Sequence, residues 1–88
     1  MKDNIAAQQG RVYLHLLTGA TLDTVEAYEK LDITNLEEVI NILRYKDEMV
    51  IEEREIREEK VNGVKIQYKK YRFTPAELKA QQKWFFRS

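Results

Sequence analysis

The feature that most constrains the fold of this chain is Asn62-Gly63, set between two runs of strand-forming residues. A two-residue type I′ turn needs positive φ at both central positions, and Asn-Gly is the pair that adopts it most readily. The flanking runs, Val50 to Glu59 and Val64 to Phe73, alternate as strands do, so residues 49–73 are predicted to form one long β-hairpin. An uninterrupted ladder from that turn places Glu53 opposite Arg72, Glu55 opposite Lys70 and Arg54 opposite Tyr71. Opposite charges facing each other contribute about 0.2–1 kcal/mol per pair and help to fix the register. In the same ladder Lys65 and Lys69 face Lys60 and Ile56, so their charge stays free for a partner.

Before the hairpin the apolar period is helical. Ile5, Val12, Tyr13, Leu16 and Leu17 share a face of a first helix, about 4–18, with Gly10 as a weak point and Thr18-Gly19 as its stop. Thr21 offers an N-cap for a second helix carrying Val25, Ala27, Tyr28 and Leu31, and Asp32-Ile33 breaks that pattern. Thr34-Asn35-Leu36-Glu37 reads as a capping box for a third helix, about 35–46, whose core face is Leu36, Val39, Ile40 and Leu43. Arg44 and Lys46 sit in its last turn, where the helix dipole favours cations. After the hairpin, Thr74-Pro75-Ala76-Glu77 is a second capping box with Pro at the first helical position. It opens a C-terminal helix over about 75–86.

The whole is an α+β chain of 88 residues, which suits one domain over residues 1–88 and one modest core. At 43% hydrophobic and 34% charged it is too apolar for a disordered chain. No apolar run approaches the ~18 residues of a membrane span, and the N-terminus lacks the apolar stretch of a signal peptide. A cytoplasmic location is the expectation. Cysteine is absent, and His15 is the lone histidine, mid-helix, where a structural role is expected. Without a Ser-His-Asp order, a Gly-rich phosphate loop or an HExxH motif, the sequence carries no reading as an enzyme and implies no cofactor or metal.

Net charge is zero but polarised: residues 20–59 hold 13 acids against 5 bases, and residues 60–73 hold 5 bases and no acid. Three helices followed by a hairpin is the order of a winged helix. The chain resembles small winged helix-turn-helix proteins of phages and prophage regions over about residues 12–73. The resemblance rests on Leu17-Thr18-Gly19, Thr21, Glu26-Ala27, Leu31, Ile40, Leu43-Arg44, Val50-Ile51, Gly63 and Tyr71-Arg72-Phe73. It implies that the third helix enters the DNA major groove and the wing touches the backbone, in the service of transcription or excision.

On that reading double-stranded DNA is the partner. Asn35 and Asn41 are candidate base readers, and Lys65, Lys69, Lys70 and Arg72 are candidate phosphate contacts interleaved with Tyr68 and Tyr71. The departure from the family lies on the third helix, where Glu37 and Glu38 would stand near phosphates. An alternative class therefore stays open: a protein-interaction module or phage-encoded inhibitor that uses an acidic winged-helix face to bind a host protein. Trp84, Phe85 and Phe86 are too apolar to leave in water on a small domain, so the last helix either folds back on the core or forms a homodimer interface.

Overall fold

A computed structural model describes residues 4–87, with the side chains of residues 58–61, 65 and 66 outside the description. Along the chain come α1 (Ile5–Leu17), β1 (Leu22–Asp23), α2 (Thr24–Leu31), α3 (Leu36–Tyr45), β2 (Ile51–Val61), β3 (Val64–Phe73) and α4 (Pro75–Phe85). The architecture among the described residues is α+β: four helices and a three-stranded antiparallel sheet of order β1-β3-β2. This arrangement is compatible with a winged-helix-like one.

The periodic apolar residues of the first three helices meet in one core. Val12, Leu16, Ala27, Val39 and Ile40 are wholly buried, with Leu36 and Leu43 almost so. Tyr71 and Phe73 of β3 and Ile51 of β2 close that core from the sheet side. Each helix begins on a side chain that accepts from an exposed N–H: Asn4 for α1, Asp23 for α2, Asn35 for α3 and Thr74 for α4. Two of these differ from the sequence expectation. Thr21 is not a cap, because Leu22 and Asp23 extend as β1 against Tyr71 and Lys70, and Asp23 caps α2 instead. Leu22 is wholly buried at that strand, and burying it is what draws the segment out of the helix.

The α3 capping pair is likewise one residue later than Thr34 and Glu37. The Asn35 Oδ1 accepts the Glu38 N–H at 3.2 Å, and its Nδ2 donates to the Glu38 carboxylate at 3.3 Å. Glu38 is therefore the acid held at the helix start, and Glu37 projects free of that pair.

The hairpin turn forms as Asn62-Gly63 dictates, with φ of +53° and +80°. Close to the turn the ladder pairs Val61 with Val64, Lys60 with Lys65 and Glu59 with Ile66. Between Ile56 and Glu59 a β-bulge then slips β2 by one residue. Beyond it Glu55 faces Lys69, Arg54 faces Lys70, Glu53 faces Tyr71, Glu52 faces Arg72 and Ile51 faces Phe73. The expected pairs Glu53–Arg72, Glu55–Lys70, Arg54–Tyr71 and Lys69–Ile56 are thus all displaced by one. The reason lies in the core. Facing residues share a side of the sheet, so an unslipped ladder would carry Glu52 and Arg54 inward with Phe73 and Tyr71. One extra residue in β2 puts Ile51 there instead.

The last helix folds back onto α1 and β3. The Tyr13 hydroxyl donates to Gln81 at 2.9 Å, the Gln82 amide donates to the Leu17 carbonyl at 2.9 Å, and Leu78 packs on the core. Gly19 is demanded twice over at this contact: its φ is +87°, and a Cβ there would stand 3.3 Å from a Leu78 methyl. No helix among the described residues is long and apolar enough to cross a membrane.

Candidate binding surface

Strand alternation gives the hairpin two unlike faces. Glu53, Lys69 and Tyr71 share the face turned towards α3, whereas Glu52, Arg54, Lys70 and Arg72 share the outer one. On the α3-facing side two cations share one carboxylate. Arg44, in the last turn of α3, donates through Nη2 and Nε to the Ile51 carbonyl at 2.7 and 3.2 Å, and through Nη1 to Glu53 at 3.1 Å. Its guanidinium lies 5.7 Å from the Tyr71 ring centroid. Lys69 approaches the other Glu53 oxygen at 3.2 Å. Hydrogen bonds from Arg44, then Lys69, hold the Glu53 carboxyl below the usual carboxylate range. The Glu53 hydrogen bond and charge push Lys69 up, with a smaller push in the same direction from Glu37. Burial, reinforced by Glu53, raises the Tyr71 hydroxyl.

The sequence candidates fall unevenly on this surface. Asn35 is occupied as the α3 cap, while Asn41 is exposed on the same helix. Lys69, expected to face Ile56 and remain free, is instead paired with Glu53, because the bulge moves the acids of β2 by one position. Arg72 is paired with Glu52 rather than Glu53. Lys65 faces Lys60 as the turn predicts, and its side chain lies outside the described residues. Lys70, expected to be neutralised by Glu55, faces Arg54; its ammonium stands 5.9 Å from the Tyr68 ring centroid and makes no ion pair among the described residues.

The exposed side of α3 carries Glu37 and Glu38 at its N-terminal end and Lys46 at its C-terminal end. Asn41 and Tyr45 lie between them, with Ile42 half-buried. Glu37 and Glu38 take part in no ion pair among the described residues. Trp84, Phe85 and Phe86 sit at the end of α4: Phe85 packs 6.1 Å from the Tyr13 ring and 5.1 Å from that of Phe86, while Trp84 is 66% and Phe86 71% exposed. Folding back of α4 and exposure of its aromatics therefore coexist. His15 is structural, its Nε2 donating to the Thr21 carbonyl at 2.8 Å and fastening α1 to the segment before β1. No cluster of three or more His, Cys, Asp or Glu among the described residues is arranged to hold a metal.

Sequence reasoning missed the anchoring role of Arg44. Its place in the last turn fits the dipole, and the fit concealed that its guanidinium reaches the next strand. No protein-family model matches the chain, and no curated protein or solved structure matches it either.

Proposed function

We propose that the chain is a non-catalytic protein-interaction module of winged-helix build, whose exposed α3 face receives a basic segment of a protein partner. One observation carries this reading. Of the cations the sequence offers to the wing, Lys69 is paired with Glu53, which Arg44 also contacts, and Arg72 on the outer face is paired with Glu52, while Glu37 and Glu38 stay exposed and make no ion pair among the described residues. A helix entering the major groove with two carboxylates in its first turn meets phosphate repulsion with little cation to offset it. The same carboxylates beside Tyr45 suit a protein segment bearing Lys or Arg. The resemblance to phage and prophage proteins makes a host protein the class of partner we infer.

A second reading, DNA binding as in a phage-type regulator, is favoured by the outer sheet face. There Arg54 and Lys70 stand directly opposite each other, next to Tyr68, with Asp23 of β1 on the other side of Lys70. A photo-crosslinker at Asn41, installed in the full chain inside the organism that encodes it, tests the first reading. The expected result is one foreign protein adduct that disappears with Glu37→Lys, alongside no shift of random duplex DNA at moderate salt. A salt-dependent DNA shift abolished by Arg54→Glu with Lys70→Glu, and indifferent to Glu37→Lys, would replace it with the second.

A further inference from the structure

The turn that closes the hairpin leaves one side-chain amide unshielded. Asn62, Gly63 and Val64 are all exposed, and a Cβ at Gly63 would meet nothing within 4 Å. The side chains of Asn4 and Asn35 are held as helix caps, whereas that of Asn62 makes no hydrogen bond among the described residues. Asn4, Asn35 and Asn41 precede Ile5, Leu36 and Ile42, whose side chains crowd the nitrogen that follows each asparagine; Asn62 alone precedes a glycine. The tip is also set apart from the core. A bulge interrupts the ladder between Ile56 and Glu59, and beyond it the pairs Glu59–Ile66, Lys60–Lys65 and Val61–Val64 join the strands. The hairpin residues of the core, Ile51, Tyr71 and Phe73, all lie on the other side of that bulge. The tip can therefore open while the core stays closed.

We propose that Asn62 is a self-modification site, at which the chain converts its own hairpin tip from a neutral amide to a carboxylate. The nucleophile is the Gly63 main-chain nitrogen and the electrophile is the Asn62 Cγ. As the new C–N bond closes a five-membered succinimide, the Cγ–Nδ2 bond breaks. The leaving group takes the proton of the Gly63 nitrogen and departs as ammonia. Water then opens the ring. Attack at Cγ breaks its bond to the Gly63 nitrogen and leaves aspartate; attack at the Asn62 main-chain carbonyl leaves isoaspartate, with the chain routed through the side chain. Water is the only co-reactant, and nothing is oxidised or reduced. Glycine matters because no Cβ hinders the approach of its nitrogen. The folded turn opposes the step: with Asn62 at φ +53° in a type I′ turn, the Gly63 nitrogen points away from the Asn62 side chain. Ring closure therefore waits for the tip to open, and that local opening sets the rate. The product alters the wing. Net charge falls from zero to one negative, and the new carboxylate stands just beyond the facing pair Lys60–Lys65. The isoaspartyl form also adds a main-chain carbon to a two-residue turn and undoes its geometry, while the bulge confines the change to the tip. The site is independent of whether α3 or the outer sheet face receives a partner.

Incubation of the full chain at mildly alkaline pH, followed by isoelectric focusing and peptide mapping, tests it. The expected result is one more acidic species, ammonia released in equal amount, and two new peptides spanning position 62, one aspartyl and one isoaspartyl. Asn4, Asn35 and Asn41 should stay unmodified. The native rate should be at least about tenfold below that of the chain in unfolding urea, since only the open fraction reacts. Below the unfolding transition the rate should be flat in urea, because opening the tip exposes little surface. Asn62→Asp should release no ammonia and keep the native near-UV spectrum, since Asp-Gly also fits the type I′ turn. The purified isoaspartyl chain should exchange the amide hydrogens of the tip faster and keep the wild-type urea midpoint. A native chain that stays unmodified while the unfolded chain reacts overturns the inference. Ammonia release that survives Asn62→Asp, a rate that climbs with urea in step with global unfolding, or an isoaspartyl chain with a lowered urea midpoint does so too.

Discussion

Replacing Arg44 by Ala should uncouple α3 from the hairpin. The side chain is only 19% exposed and, beside its approach to the Tyr71 ring, makes two polar contacts that differ in worth. The pair of hydrogen bonds to the Ile51 carbonyl comes from a charged fork at the edge of the core, where a charged hydrogen bond contributes about 1.5–3 kcal/mol. The ion pair to Glu53, whose side chain is 39% exposed, is screened by water and adds about 0–1 kcal/mol. A loss of about 2–3 kcal/mol follows, a large share of the stability of a small domain. The midpoint of thermal unfolding should fall by about 10–20 °C, at about 4–8 °C per kcal/mol for a chain of this size. Urea unfolding measures the free energy directly, and an unchanged m-value shows that the surface exposed on unfolding is the same. Arg44→Lys keeps the charge but loses the planar fork, so it should recover less than half of the loss. A cost of Arg44→Ala below about 0.5 kcal/mol would refute the assignment of the carbonyl clamp as the dominant contact. So would a Lys variant as stable as wild type.

The two glycines of α1 and its stop should respond in opposite directions. Gly10→Ala meets nothing within 4 Å inside a helix and should stabilise by about 0.5–1 kcal/mol, whereas Gly19→Ala, at φ +87° against Leu78, should destabilise by about 1–3 kcal/mol in the same urea assay. Deleting Arg57 removes the extra residue of the bulge while leaving the turn and the Ile51–Phe73 pairing in phase, so the native near-UV spectrum should survive; deleting Gln67 from the opposing strand doubles the mismatch and should abolish it. The Glu53–Lys69–Arg44 group also sets a pH dependence. Glu53 is depressed in the folded state, so its contribution is present above the unfolded value near 4.5 and is lost as pH falls through the lower folded value. Lys69 is raised, so its contribution is present below 10.5 and is lost as pH rises through the higher folded value. Glu53→Gln should flatten both limbs of the stability–pH profile, and an acid limb identical to wild type would show that other carboxylates govern it.

Much of the architecture was legible because its signals are local. Asn62-Gly63 dictates its own turn, Thr74-Pro75 its own helix start, and the spacing of Leu36, Val39, Ile40 and Leu43 the buried side of α3. The misreadings cluster where a local preference met a distant demand. Thr21 is a good cap by type, yet burial of Leu22 against β3 moved the helix start to Asp23. The charge-matched ladder was a sound local guess, yet it would have turned Glu52 and Arg54 inward.

The candidate surface was less legible than the fold, for the same reason. Which lysine is neutralised depends on register, and register beyond residue 57 depends on the core rather than on the turn. Lys69 was thus expected to be free and is paired, while Lys70 was expected to be paired and faces another cation. Arg44 was readable as a dipole-friendly residue, but its carbonyl partner seven residues on becomes visible only when β2 folds against α3.

The sequence by itself determined the inventory: three amphipathic helices, a tight hairpin, a capped last helix, and a charge pattern with its acids in the middle. Those properties follow from periods, caps and turn residues that act within a few positions. Tertiary structure alone decided the third strand, the one-residue slip of the hairpin and hence which charges meet. A single bulge, required to bring Ile51 onto the same side as Tyr71 and Phe73, paired Lys69 with Glu53 and Arg72 with Glu52 and set Lys70 opposite Arg54.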